Sequence, residues 1–596
     1  MQAPFAQALA HYQQNQTEAA EELCRGILRA HPRHFDAAHL LGAILLDRGQ
    51  PQAAERQIRA AIRINPNVSA AHNSRGIALK DLDRLLEALA SFNRAVELDP
   101  HSLEALANRG AALHALKRFD EALASYDAAL ALSPAFAGVL CNRSNTLIEL
   151  KRFEDALSDL KKAALLAPLS AEAFNSRGLA LHGLKRFDEA LGNFARAIAL
   201  RPLYAEPFHN LGNSLRELER SAEALDAHER AIALKRDFPD AESGRGLALH
   251  GLKRIDEALA AYDRALALRP LDYEALNNRA HCELAAGLMA EGWRDAEYRW
   301  LSKSFNSPRP ALSAPEWKGE PLEGRSILIY AEQGYGDMIQ FCRYLPLLAE
   351  RGAQVSFLAP PFLRRLFAGL ADRIRMIASL EEDGPFDRQC ALMSLPYRFG
   401  TDLTNIPCAV PYLSVEPERS AFWAKRIGKE GFRVGICWQG NASSLPGRSF
   451  PLSELVPLSS IDGIRLISLQ KGQGAEQLAQ VGSKMRIETL GEDFDAGDDA
   501  FLDSAAVIPH LDLVVSCDTS IAHLAGALAR PTWIALKYVP DWRWMLDRSD
   551  SPWYPTARLY RQAKPRDWKS VIVAMTADLK RAVTTLYAAG TGADRQ

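Results

Sequence analysis

The sequence predicts two classes of structure in one chain: an α-solenoid of stacked helical pairs, then an α/β region of two small doubly wound parallel sheets. Three observations carry this. A pattern of small residues, alanines and prolines recurs at a constant step of 34 through the first half. Short apolar runs bounded by turn residues then replace the helical period. At the change, "EQGYGDMIQF" (332–341) joins a strand to a helix through two glycines and a lone carboxylate.

The repeat rests on three coincident series. Gly42, Gly76, Gly110, Gly178, Gly212 and Gly246 fall in one frame, with Ala8, Ser144 and Ala280 filling the remaining places. Ala20, Ala54, Ala88, Ala122, Ala156, Ala190, Ala224 and Ala258 keep the same step, and Pro32, Pro66, Pro100, Pro134, Pro168, Pro202 and Pro270 close the units. Small residues let two helices approach closely, and proline ends the second helix of each pair. These series resemble the tetratricopeptide repeat, with about nine units over residues 1–306. One unit cannot bury its apolar face alone, so the units are expected to stack into a superhelix with a concave groove.

Two residues before the small position stand Ser74, Asn108, Asn142, Ser176, Asn210 and Asn278, with Gly244 leaving a gap. Two helical steps turn through roughly 200°, so this row points away from the partner helix. It is expected to hold the backbone of a protein or peptide; a plain solvated face is the alternative. The adjacent arginines pair as readily with acidic residues of neighbouring units and receive no function.

Residues 307–324, rich in Pro, Ser and Gly, read as a linker. "SILIY" (326–330), 353–360, "RIRMIAS" and "QCALMSL" are the expected strands of a short first half, 325–415. A second half, 416–596, has strands at 432–438, 464–470, 511–517 and 532–536, helices at 501–509 and 519–529, and a closing helix at about 566–588, expected to pack back across the first half. Two such sheets leave a crevice at their strand ends, where ligands bind in these folds.

Three segments are expected to meet there. In "VVSCDTSIAHLAGALARP" (514–531) a strand delivers Asp518, and a helix begins at once with Thr519, Ser520 and Ile521, whose free N–H groups suit a diphosphate. Asp518 is either a sugar contact or a helix cap. "CWQGNASSLPGRSF" (437–450) offers Ser443, Ser444 and Arg448, either neutralising a departing phosphate or forming an ordinary surface loop. Gly334 and Gly336 are expected to make a close turn that brings Asp337 to the crevice as a proton acceptor; capping is again the alternative. His523, past the first turn, is read as packing, and so are most of Trp542, Trp544 and Trp553. "DFD" at 493–495 reads as an acidic loop before a helix.

"GYGDMIQFCRYLPLL", "DTSIAHLAGALARP" and "GRSFPLSEL" resemble motifs of glycosyltransferase family 9, the heptosyltransferases, and the likeness runs from about 325 to 590. The resemblance implies a GT-B fold and inverting transfer from a nucleotide-diphosphate sugar, with no bound metal and no cofactor. By position it implies Asp337 as general base, Arg448 as phosphate neutraliser, Asp518 as sugar contact, Thr519 and Ser520 as diphosphate cradle, and Glu476 near the ribose. Arginine stands at 448 and serine at 520 where that family has lysine and glycine. A non-catalytic interaction scaffold with a degenerate transferase domain is the alternative.

The 596 residues carry a net charge of −2 and 24% charged side chains, with no basic tract, which argues against nucleic acid as the main partner. Eight scattered cysteines form no C-x-x-C pair and suggest neither a zinc site nor a disulfide framework. With no signal-like start and no membrane-length apolar run, the chain is expected in the cytoplasm.

Overall fold

The computed structural model describes residues 2–332, 334–370, 372–382, 384–441 and 447–593, and these fall into two compact units, Met1–Arg236 and Asp237–Gln596. The first unit is an array of helices from Gln2–Gln13 to Ser221–Leu234, each packed on the next. The first helix of a pair closes in a left-handed residue, as at Lys117 (φ 59°) and Lys185 (φ 59°). The next N–H groups then turn back, Lys117 N to His114 O at 2.9 Å and Arg118 N to Leu113 O at 2.9 Å, which satisfies carbonyls the helix end would otherwise leave bare. The second helix stops just before the proline of the series, as Leu85–Leu98 does at Pro100.

The small-residue series has a direct steric cause. A methyl group on Gly110 would lie 2.5 Å from the ring of Tyr126, and Gly76 and Gly178 meet Phe92 and Phe194 in the same way. The residue sixteen positions later, on the second helix, lies flat on the bare backbone of the first. Those rings are essentially buried, as are the alanines of the second series.

The second unit begins with four more helices, Pro239–Gly251, Ile255–Leu268, Tyr273–Ala286 and Met289–Ala296. The boundary expected at 306/307 therefore lies inside this unit. Leu284, Ala285, Met289 and Trp293 share one apolar core with Ile327, Phe341, Tyr344, Trp542 and Trp553. Trp293 stands edge-on to Trp542 at 5.1 Å between ring centroids, and its indole N–H donates to Thr401 O at 3.1 Å.

The expected linker is not free. Trp317 is 1% exposed, its N–H donates to Gln389 O at 2.7 Å, and Gln389 N donates to Pro315 O at 3.0 Å, so the segment runs beside a sheet edge. One buried indole among prolines and glycines is enough to dock it.

The first sheet is β1 (Ser326–Tyr330), β2 (Gln354–Leu358), β3 (Ile374–Ile377) and β4 (Arg388–Ala391), parallel in the order β3-β2-β1-β4. The second is β5 (Phe432–Cys437), β6 (Ile464–Ser468), β7 (Ile487–Glu488), β8 (Leu513–Cys517), β9 (Thr532–Leu536) and β10 (Ala557–Arg561), parallel in the order β10-β9-β8-β5-β6-β7. β7 and β10 are additions to the expected set. The C-terminal helix, Trp568–Ala593, packs on the second sheet rather than across the first. Trp568, Ile572, Met575 and Leu579 share a core with Val434, Ile436 and Trp438, and Tyr560 donates to Asp578 at 2.8 Å. No described helix is long and apolar enough to cross a membrane.

The ring-on-backbone contact gives a direct test. Gly110→Ala should destabilise the protein by about 1–3 kcal/mol through overpacking against Tyr126, whereas the same change at Gly192, which faces open space, should not destabilise it. Urea denaturation of the two variants compares them.

Candidate functional site

In the second unit the carboxyl ends of β1, β5, β6, β8 and β9 deliver loops around one cavity of about 740 Å³. This is where parallel sheets bind ligands, because helix starts and loop N–H groups converge there.

After β1, the Glu332 carboxylate is fully enclosed and takes two bonds from Arg299, Nε and Nη2, each 2.7 Å, and one from Met393 N at 3.1 Å. Burial raises its pKa while Arg299 pulls it back. Gly334 caps the helix Tyr335–Phe341 with φ −56° and ψ 160°, a conformation open to any residue. The close turn expected of both glycines is therefore not what requires them. Gly336 is required by crowding, since a methyl there would lie 2.8 Å from the His523 ring.

Asp337 lines the cavity, ion-paired with Arg543 and accepting from the Gly334 N–H. Capping and exposure to the cavity coexist in this residue. Burial raises its pKa, against the pull of Arg543. Arg543 also donates to Asp541 at 2.8 Å and Gln340 at 2.7 Å, and lies over the Trp542 ring at 4.4 Å. Burial works against its charge, and Asp541 and Asp337 more than restore it.

After β8, Asp518 is 8% exposed and borders the cavity with Thr519, Ser520 and Ile521. The helix Ser520–Ala527 starts here, and first-turn N–H groups have no intrahelical acceptor. Burial, then the Asp541 carboxylate, push Asp518 up to about 6, opposed by Trp544, Arg448 and Arg543. Asp541 itself is held low: burial opposes this, and Arg543 overcomes it.

After β5, Arg448 lies against Gly440 and donates to Asn441 O at 3.3 Å. Ser443 and Ser444 lie outside the described residues. Glu476, expected near the donor, does not border the cavity. It is exposed, and its carboxylate is taken by the N–H of Gly474 at 2.8 Å, which folds the loop after β6.

The cavity thus gathers Asp337, Arg448, Asp518, Thr519, Ser520 and Ile521. Sequence reading missed Asp541 and Arg543, which stand in the loop after β9. It also missed His281 on the helix Tyr273–Ala286, and Gln439, Gln470 and Lys471 after β5 and β6. Trp542, Trp544 and Trp553 are buried, although Trp542 also borders the cavity. His523 stacks on Trp544 at 5.2 Å and bonds Tyr554 at 2.9 Å, and burial lowers its pKa to about 3. Within "DFD", Asp495 accepts from Asp503 N at 2.8 Å and Asp493 pairs with Arg426 at 2.6 Å, a helix-start clamp.

The polar row of the first unit is already engaged. Asn108 donates to Asn73 at 3.0 Å, Asn210 to Asn175 at 3.0 Å and Ser176 to Asn145 at 2.7 Å, while Ser74 meets His39 at 3.1 Å. These bonds join neighbouring repeats, and Ser176 is 4% exposed, so the row is not a line of free groups. Asn142 is exposed, and Asn278 in the second unit is half-buried. Each bonded asparagine keeps unused donor and acceptor capacity. Arg75 pairs with Glu55, and Arg143 with Asp127 and Asp159.

Comparison with known proteins identifies the helical region. Tetratricopeptide-repeat models match residues 5–69, 73–135, 137–168, 169–237, 209–270 and 251–308. Protein FlbA of Caulobacter vibrioides is 27% identical over 308 residues, 47% of this chain and 51% of that protein. The chain spans about half the length of that curated relative. Among solved structures, a tetratricopeptide-repeat protein from Parabacteroides merdae is 18% identical with a TM-score of 0.37, covering 41% of this chain and 97% of that one. YrrB, described as a TPR protein with an unusual peptide-binding site, is 26% identical with a TM-score of 0.27, covering 33% and 97%.

Two outcomes are expected from these contacts. Arg299→Leu should cost about 3–5 kcal/mol by stranding the Glu332 charge, and adding Glu332→Leu should recover much of that loss; denaturant melts of both variants check it. Asp518 binds its proton more tightly folded than unfolded, so its contribution weakens the native state as pH rises from about 4 to about 6. The stability gained by Asp518→Asn should therefore grow by on the order of 2 kcal/mol between pH 4 and pH 7, read from paired urea titrations.

Proposed function

We propose that this chain, whose first 300 or so residues are tetratricopeptide repeats, is a glycosyltransferase acting on protein or peptide hydroxyls from a nucleotide-diphosphate sugar, with a GT-B-like second half akin to family 9. The observation that carries this is one cavity bordered both by Asp337, after a strand of the first sheet, and by the helix start at Thr519–Ile521, after a strand of the second.

In the proposed reaction the acceptor oxygen attacks the anomeric carbon and its proton passes to Asp337. The bond from that carbon to the phosphate oxygen breaks, and its electron pair leaves with the nucleoside diphosphate. Arg448 and the N–H groups of residues 519–521 neutralise the departing charge. The raised pKa of Asp337 favours proton capture, and Arg543 fixes its orientation. Attack opposite the leaving group inverts the anomeric centre. The repeats hold the acceptor through the remaining capacity of Asn108, Asn142 and Asn210, in the cytoplasm.

One observation favours the alternative of a binding scaffold: the Asp337 carboxylate is already paired with Arg543. Nucleotide sugars offered to the full chain separate the two readings. Asp337→Asn should lower transfer by about 10²–10⁴-fold while calorimetry shows donor still bound. No transfer by the wild type from any donor, together with tight binding of protein partners, would establish the scaffold.

A further inference from the structure

The helix Tyr273–Ala286 is the first helix of the last repeat pair, and half of its 14 residues are packed inside. Ala275, Leu276, Ala280, Cys282, Glu283, Leu284 and Ala285 are buried. His281 is exposed, and it borders the cavity that every other lining residue enters from position 334 or later.

Three features give this side chain a place. The helix packs against the segment Trp542–Trp544, and the charges that act on the ring are those of Asp541 and Arg543, so it stands beside the arginine that holds Asp337. Desolvation at the cavity wall, with Arg543, lowers its pKa against the pull of Asp541, and a neutral imidazole carries one N–H donor and one acceptor nitrogen. Asn278 lies three residues earlier on the same helical face and belongs to the polar row of the repeats.

The helix that carries both is rigidly held. Asp272 caps its start, accepting from Ala275 N at 3.1 Å, and Arg279 is clamped between Asp263 and Asp295, each at 2.6 Å.

Resting on the transferase reading, we propose that His281 and Asn278 form the acceptor subsite, hydrogen-bonding main-chain amides of a polypeptide whose hydroxyl is presented to Asp337. A neutral imidazole and a carboxamide each offer one donor side and one acceptor side, the complement of an extended peptide backbone. The repeat array then supplies part of the reacting cavity itself.

The test uses the full chain with ADP-, CDP-, GDP- and UDP-glucose and a degenerate peptide library containing serine and threonine, measuring transfer to peptide beside hydrolysis of the donor by water. His281→Ala should raise the peptide KM about tenfold, as expected for one lost hydrogen bond, with kcat and donor hydrolysis little changed. His281→Gln, which keeps a donor and an acceptor, should restore much of the affinity. Unchanged peptide KM in His281→Ala, or hydrolysis and transfer falling together, overturns the assignment while leaving the transferase reading intact. A wild type that neither transfers nor hydrolyses any of these sugars overturns both.

Discussion

The second unit depends on a buried ion pair. Arg299 and Glu332 are almost wholly enclosed, and removing two charges from water is costly unless every donor and lone pair is satisfied. Here the guanidinium also reaches Ala296 O at 3.0 Å, Glu297 at 3.1 Å and Ser394 at 2.9 Å. A pair so fully engaged leaves the loop after β1 one position to occupy. Asp337 follows from that loop, and the stretch carrying Arg299 follows directly from the last repeat helices.

The cavity then sorts its charges. Four carboxylates, Asp337, Asp495, Asp518 and Asp541, share it with Arg543, Arg448 and Lys471, yet they do not titrate alike. Asp541 is held low by Arg543, while burial raises Asp337 and Asp518. Carboxyls whose pKa values are pushed apart by their surroundings are how acid and base roles become separated within one site. Arg543 stands at the centre of this arrangement, fixed over Trp542 and bonded to Gln340.

Much of this was legible in the chain because periodicity reports packing. The 34-residue step marks where two helices touch closely, though not the ring that fills the space at each glycine, and apolar runs mark β1, β2, β5, β6, β8 and β9. The failures share a cause: they depend on partners distant in sequence. β7 has two residues, and β10, "ARLYR", carries arginines at both ends of its apolar run. Trp317 in a proline-rich stretch gives no sign of the strand it lies beside. Asn108 and Asn210 read as a free row because a bond to the previous repeat leaves no mark on composition. His281 sits one place beyond a small residue, a position filled by leucine, isoleucine, asparagine or alanine elsewhere, so no pattern distinguishes it.

Trp293 has an evolutionary corollary. Arrays of this kind lengthen and shorten by gaining or losing whole repeats, and such exchange is tolerated only where a unit touches nothing but its neighbours. The last pair is exempt from that freedom, because its indole is packed against Trp542 and Trp553 and its removal would uncover the core of the sheets. A repeat gained or lost within Met1–Arg236 leaves that indole seated, whereas a chain cut short of the last pair would present bare aromatic surface in its place.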